Sequence, residues 1–181
     1  RFFMDVANIT SLPILLYNNP VDYKIDITLD MFEQMLPCTN IEAVKESTRN
    51  TMNITRMINR FGDRYKILTG VDPVALESLV LGADGWVAGL VDAFPAETVA
   101  IFRLVKAGRI DEAIAIYRWF MPLLELDIHP KLVQYIKLAA SLTGIGTEYV
   151  RAPRQLLTGA ERTTVLKTIQ DALAVRPELP D

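Results

Sequence analysis

The chain has 181 residues, half of them apolar, which is enough material for one sizeable hydrophobic core. A formal charge of −3 and a pI near 5.3 leave no basic footprint for nucleic acid or an anionic membrane, and no run of like charge suggests a tail. One cysteine (Cys38) and one histidine (His129) exclude an internal disulfide and argue against a Cys/His zinc site, and no apolar run reaches the ~18 residues of a transmembrane helix.

Arg1 to Ile9 has the pattern of the middle of an amphipathic helix, with no cap and no initiator methionine before it. The expectation is a chain that continues a longer one, located in the cytoplasm, since no signal-peptide pattern opens it. Leu12-Pro13-Ile14-Leu15-Leu16-Tyr17 is an apolar run that stops at Asn18-Asn19-Pro20, and it predicts a buried strand with Pro13 at its start. Thr28 caps a helix over Leu29 to Leu36, with Asp30 near the positive end of its dipole. A second strand follows in the run Ile41 to Ser47. From Asn50 or Thr51 a helix runs through Arg60, with Met52, Ile54, Met57, Ile58 and Phe61 as its apolar stripe and Gly62 as its stop.

Tyr65 to Gly70 predicts a third strand, and Asp72-Pro73 starts the next helix, with the acid read as its N-cap. A fourth strand is expected over Gly85 to Leu90, then a helix from Pro95 to Ala107 closed by Gly108. Strands alternating with helices at short spacing indicate a parallel sheet of right-handed βαβ units. Beyond Asp111 the pattern is helical only, over 111–126, 130–143 and 160–174, with Pro122 expected to kink or shift the first of these. His129, just before Pro130, is expected in a loop or cap.

The chemistry concentrates at one end of the strands. Alternation along Ile41-Glu42-Ala43-Val44-Lys45-Glu46 puts Ile41, Ala43 and Lys45 on one face and Glu42, Val44 and Glu46 on the other. A lysine on an inward strand face loses water, which disfavours its ammonium and favours the neutral amine that imine formation with a ketone or aldehyde requires. The competing reading is a lysine that leaves the sheet and carries its head group into solvent. Tyr17, Gly70 and Gly89 fall at the corresponding ends of other strands, where parallel α/β folds place active sites. Each also has a plain structural reading, as a core tyrosine or as relief of packing.

Taken as an ordered set, Tyr17-Asn18-Asn19-Pro20, Ala43-Val44-Lys45-Glu46-Ser47, Gly70-Val71-Asp72 and Leu81-Gly82-Ala83-Asp84-Gly85-Trp86-Val87-Ala88-Gly89 resemble the dihydrodipicolinate synthase / N-acetylneuraminate lyase family. The likeness extends through the C-terminal helices. It implies a (β/α)8 TIM barrel, here strands five to eight at 1–109, followed by a three-helix C-terminal extension at 110–181. It further implies a class I Schiff base on Lys45, with Tyr17 relaying protons and Gly70 and Val87 lining the pocket. Lysine itself supplies the electrophile, so no cofactor and no metal are expected. The implied partners are a 2-oxo acid such as pyruvate or a cyclic imino acid, and further copies of the chain, commonly in a homotetramer.

Two departures qualify the substrate. The family's carboxylate-gripping loop and partner-supplied tyrosine belong to the first half of the barrel. The arginine that dihydrodipicolinate synthases carry after Tyr-Asn-x-Pro is replaced by Val21-Asp22-Tyr23, and an acid there repels a carboxylate-bearing aldehyde. Sialic acid lyases carry a glutamate after the aspartate of Gly70-Val71-Asp72, and here Pro73 follows. Trp86 to Leu90, with Asp92-Ala93-Phe94-Pro95, is more similar to the hydroxyproline-catabolism branch. The expected reaction is therefore deamination of a hydroxypyrroline carboxylate. The alternatives are 4-hydroxy-tetrahydrodipicolinate synthesis, a pyruvate-dependent aldolase, or a non-catalytic barrel acting as scaffold or regulator.

Overall fold

Four parallel strands, β1 (Ile14–Asn18), β2 (Ile41–Glu46), β3 (Lys66–Thr69) and β4 (Gly85–Trp86), lie side by side in chain order in the computed structural model, which describes residues 1–180. The chain folds as two compact units, the first being Arg1–Val87 and the second beginning at Ala88.

In the first unit, α1 (Phe2–Asn8) leads into β1, and the short α2 (Pro20–Tyr23) and α3 (Leu29–Gln34) connect β1 to β2. Thr28 caps α3 as its sequence predicts, its hydroxyl accepting from the Met31 amide at 3.4 Å. Helices α4 (Met52–Phe61) and α5 (Ala75–Val80) make the next two crossovers, so consecutive parallel strands are joined by helices. Gly62 ends α4 at φ 55°, a backbone region that side-chain-bearing residues avoid.

The two faces of the sheet differ. Leu16, Asn18, Val44, Glu46, Ile67 and Thr69 are buried, whereas Leu15 and Tyr17 on the other face are exposed and Ala43, Lys45 and Leu68 are half-buried. The strand expected at Leu12 to Tyr17 is therefore buried on one face only and begins at Ile14, after the exposed Leu12 and Pro13. The fourth strand also departs from its pattern. It ends at Trp86, because Gly89 takes up a helical backbone and Leu90–Asp92 form a 3-10 turn. Met52 belongs to the α4 stripe in the sequence, yet it is exposed at the first turn, and Ile54 and Met57 make the buried contact.

The second unit is helical: α6 (Pro95–Lys106), α7 (Ile110–Leu124), α8 (Leu132–Leu142) and α9 (Gly159–Ala174). Phe94, Ile101, Phe120, Leu123, Leu124 and Ile169 are buried in it. Pro122 sits in the last turn of α7, which gives way to a 3-10 turn at Glu125–Ile128, as expected where a ring removes an amide donor. The Trp119 indole N–H donates to the Ala172 carbonyl at 2.9 Å and ties α7 to α9. His129 acts as a cap, its Nδ1 accepting from the Lys131 amide at 3.1 Å while its ring stacks on Tyr135. Burial, and then the Glu161 carboxylate that its hydroxyl reaches, push Tyr135 up to about 12. Among the described residues no helix is long and apolar enough to cross a membrane.

Candidate active site

Parallel register aligns Tyr17 with Lys45 and Lys45 with Leu68, so the lysine and the tyrosine are cross-strand neighbours near the C-terminal ends of β1 and β2. Lys45 Nζ stands 4.4 Å from the centre of the Tyr17 ring. Lysine and tyrosine thus meet on the more open face of the sheet, and Lys45 is half-buried there, neither enclosed nor swung into solvent.

Gly70 follows β3 and explains how the lysine stem fits. A Cβ at this position would lie 2.2 Å from Ser47 Oγ, 2.5 Å from Lys45 Cε and 2.6 Å from Lys45 Cγ. The need for glycine is steric contact with the site itself, and its amide also donates to the Glu46 carbonyl at 2.9 Å. Val87 stands beyond the end of β4, its amide bonded to the Thr69 carbonyl at 2.9 Å, and it is exposed. It lies two strands from Lys45. Gly89 falls in the second unit, where a Cβ would meet Asp127 Oδ1 at 1.9 Å.

Two polar residues beside this pair are not obvious from spacing. The Ser47 hydroxyl is buried, has no hydrogen-bond partner among the described residues and lies against the Lys45 stem next to Gly70. Asn19 is buried in the turn after β1, and its amide nitrogen donates to the Tyr17 hydroxyl at 3.0 Å. Period-2 reasoning finds Ser47 on the lysine's face, but its orphaned oxygen is visible only in three dimensions. Asn19 is read from sequence only as part of a breaker cluster.

Behind the lysine, on the covered face, Glu46 pairs in register with Asn18 and Thr69. Its Oε1 accepts from the Thr48 amide at 2.9 Å and its Oε2 from the Asn18 side chain at 3.3 Å. Asn18 in turn accepts from the Ile27 amide at 2.9 Å. Burial raises the Glu46 carboxyl above its ordinary range, opposed by the bonds from Thr48 and Asn18. Asp72, read from sequence as a helix cap, lies inside the 3-10 turn Asp72–Val74, and its buried carboxylate accepts from the Trp86 indole at 3.0 Å. Among the described residues no cluster of three His, Cys, Asp or Glu is placed to hold a metal ion.

Comparison with known proteins identifies the family and the fold. The model of the Dihydrodipicolinate synthetase family matches residues 1–172. The 4-hydroxy-tetrahydrodipicolinate synthase of Chlorobaculum parvum is 29% identical over 166 residues, covering 91% of this chain and 56% of that protein. The Aquifex aeolicus synthase of the same name is 29% identical over 152 residues, 83% of this chain and 52% of its own length. Among solved structures, the 4-hydroxy-tetrahydrodipicolinate synthase of Methylacidiphilum fumariolicum superposes with a TM-score of 0.83 at 29% identity, over 96% of this chain and 59% of that one. The Aquifex aeolicus dihydrodipicolinate synthase structure gives 0.84 at 25% identity, over 99% and 60%. The chain thus spans a little over half the length of the relatives it matches. With the family model spanning both units and the fold superposing on family structures, the chain belongs to the dihydrodipicolinate synthetase family.

Proposed function

We propose that Lys45 is the imine-forming nucleophile of a class I lyase or synthase acting on a pyruvate-like 2-oxo acid. The observation that carries this reading is the seat of Lys45 Nζ, 4.4 Å from the Tyr17 ring centre, in space that Gly70 leaves open. In this reading the Lys45 nitrogen attacks the carbonyl carbon, a C–N bond forms and the carbonyl oxygen becomes a carbinolamine hydroxyl. The C–O bond then breaks, and oxygen leaves as water with the one proton that the neutral amine has shed and a second taken up from solvent, both passed across by the Tyr17 hydroxyl. The resulting iminium draws electrons from a neighbouring C–H or C–C bond, which can break without forming a free carbanion. Ser47 offers its hydroxyl to the bound carboxylate or carbinolamine, and Gly70 and Val87 line the pocket.

We read the strands as the fifth to eighth of a (β/α)8 barrel at 1–109, with a three-helix extension at 110–181, in a homo-oligomer. The curated relatives that match bear the name 4-hydroxy-tetrahydrodipicolinate synthase, and this moves the reading toward that synthase or a pyruvate aldolase and away from the hydroxypyrroline-carboxylate deaminase that the motif around Trp86 predicts. One observation keeps the deaminase as the second reading. Asp22, joined to Tyr17 through Asn19, places a carboxylate where a second substrate's carboxylate would be repelled.

Borohydride trapping with intact-mass analysis tests the proposal. The full-length gene product that carries this sequence, incubated with pyruvate or with hydroxypyrroline carboxylate, should yield a reduced adduct mapping to Lys45, and Lys45→Ala should yield none. Turnover retained in Lys45→Ala ends the imine mechanism. The better-trapped compound chooses between the two reactions.

A further inference from the structure

The turn that follows β1 does more than reverse the chain. Asn19 is 6% exposed, and every polar function of its side chain is engaged. Its carbonyl oxygen accepts from the Asp22 amide at 3.3 Å, which is an ordinary capping bond for the short α2. Capping leaves the other side of the amide unexplained. The nitrogen donates both to Asp22 Oδ2 at 2.7 Å and to the Tyr17 hydroxyl oxygen at 3.0 Å. Rotating the amide by half a turn would set its oxygen against the Asp22 carboxylate, so the acid fixes which way the amide faces. The Tyr17 oxygen is then a hydrogen-bond acceptor on its Asn19 side, and its own hydrogen is left to donate elsewhere.

We infer that Asn19 is a positioning residue for the imine chemistry, aiming the Tyr17 proton at the oxygen bound beside Lys45, with Asp22 as the anchor that holds Asn19 in its donating orientation. The inference rests on the reading of Lys45 and Tyr17 above. Asn19 touches no reacting atom in this scheme and acts only through the Tyr17 hydroxyl. Replacing its nitrogen by oxygen reverses the polarity: an acceptor at that position draws the Tyr17 hydrogen toward itself and away from the carbinolamine.

The test measures the rate of borohydride-trappable adduct formation with pyruvate in the full-length gene product. Asn19→Asp, nearly isosteric, should slow trapping by about 10-fold or more, the effect of losing one oriented hydrogen bond together with the proton it directs. The same substitution in a Tyr17→Phe background should add almost nothing, because its target oxygen is gone. A merely structural role would instead lower both backgrounds alike. Asp22→Asn keeps an acceptor for the Asn19 nitrogen and should preserve most of the rate, whereas Asp22→Ala, at an exposed position, should lose part of it with no change in thermal melting. Equal rates for Asn19→Asp and the parent, or equal losses whether or not the Tyr17 hydroxyl is present, overturn the inference while the imine reading stands. If Asn19→Asp fails to fold, an Asp22→Ala rate equal to the parent's overturns it. A parent that traps nothing overturns the imine reading and this inference with it.

Discussion

At the scale of single residues, Gly70 separates function from stability most cleanly. Its backbone does not need a left-handed conformation, so alanine there brings no backbone strain. The added methyl would instead overlap the Lys45 stem and Ser47 Oγ, at 2.2 to 2.6 Å. The contact with Lys45 Cγ lies close to the root of the side chain, so the stem must change rotamer to make room, and Gly70→Ala should cost about 1–3 kcal/mol of stability. Displacing Nζ from the Tyr17 ring should nonetheless reduce adduct formation severely. Thermal melting and trapping rates on the same sample check this, and a Gly70→Ala protein that traps at the parent rate would remove Gly70 from the site. Tyr17→Phe keeps the ring beneath Nζ but loses the hydroxyl. It should slow the reaction by about 10²–10⁴-fold if that hydroxyl is the general acid and base. A loss below tenfold in single-turnover kinetics would assign proton transfer elsewhere.

At the scale of the strand, β2 carries opposite demands on successive residues: Lys45 faces the open side of the sheet and Glu46 the covered side. The Glu46 carboxyl is raised by burial, so between its ordinary value of 4.5 and the raised one the folded chain holds a proton that the unfolded chain has lost. Stability therefore falls as pH climbs through that window, and is level above it. Glu46→Gln should flatten this slope, as read from urea titrations at several pH values. Glu46→Leu should instead destabilise by about 1–3 kcal/mol, because it removes the acceptor of the part-buried Thr48 amide, whereas the Asn18 amide nitrogen keeps Asp26 Oδ1 and the Ile27 carbonyl. This element was legible in the sequence, where the run Ile41 to Ser47 exceeds the strand by one residue and period 2 gives the split of Lys45 from Glu46. What spacing could not supply was every feature decided by a distant partner. Spacing reads Asp72 as a cap and gives no sign that its carboxylate also takes the Trp86 indole, and the fourth strand looks longer than it is because the helical backbone at Gly89 leaves no mark in the pattern. Among site residues, Tyr17 and Lys45 could be found at strand ends, whereas Asn19 needed the geometry of its turn.

At the scale of the whole molecule, the sheet has two open edges among the described residues. There, strands β1 and β4 each have a neighbour on one side only, and the face holding Leu15, Tyr17 and Lys45 is the less covered one. An open edge of a parallel sheet is a template for further pairing, and parallel strands ordinarily work with both faces covered. If these are strands five to eight of a barrel, both edges are paired in the full-length gene product, and the Lys45 face becomes the packed interior of the closed sheet. Amide hydrogen exchange reads this directly. Residues 14–18 should be well protected in the full-length protein and should exchange much faster in the isolated chain, while β2 and β3, flanked on both sides, differ less between the two. The isolated chain should also self-associate more strongly near its pI of about 5.3, where repulsion between copies is weakest. Equal protection of 14–18 in both proteins would mean that this edge is closed without the remaining length of the relatives. The barrel reading would then fail, although the Lys45–Tyr17 pair, built entirely from β1 and β2, would still stand to be tested by trapping.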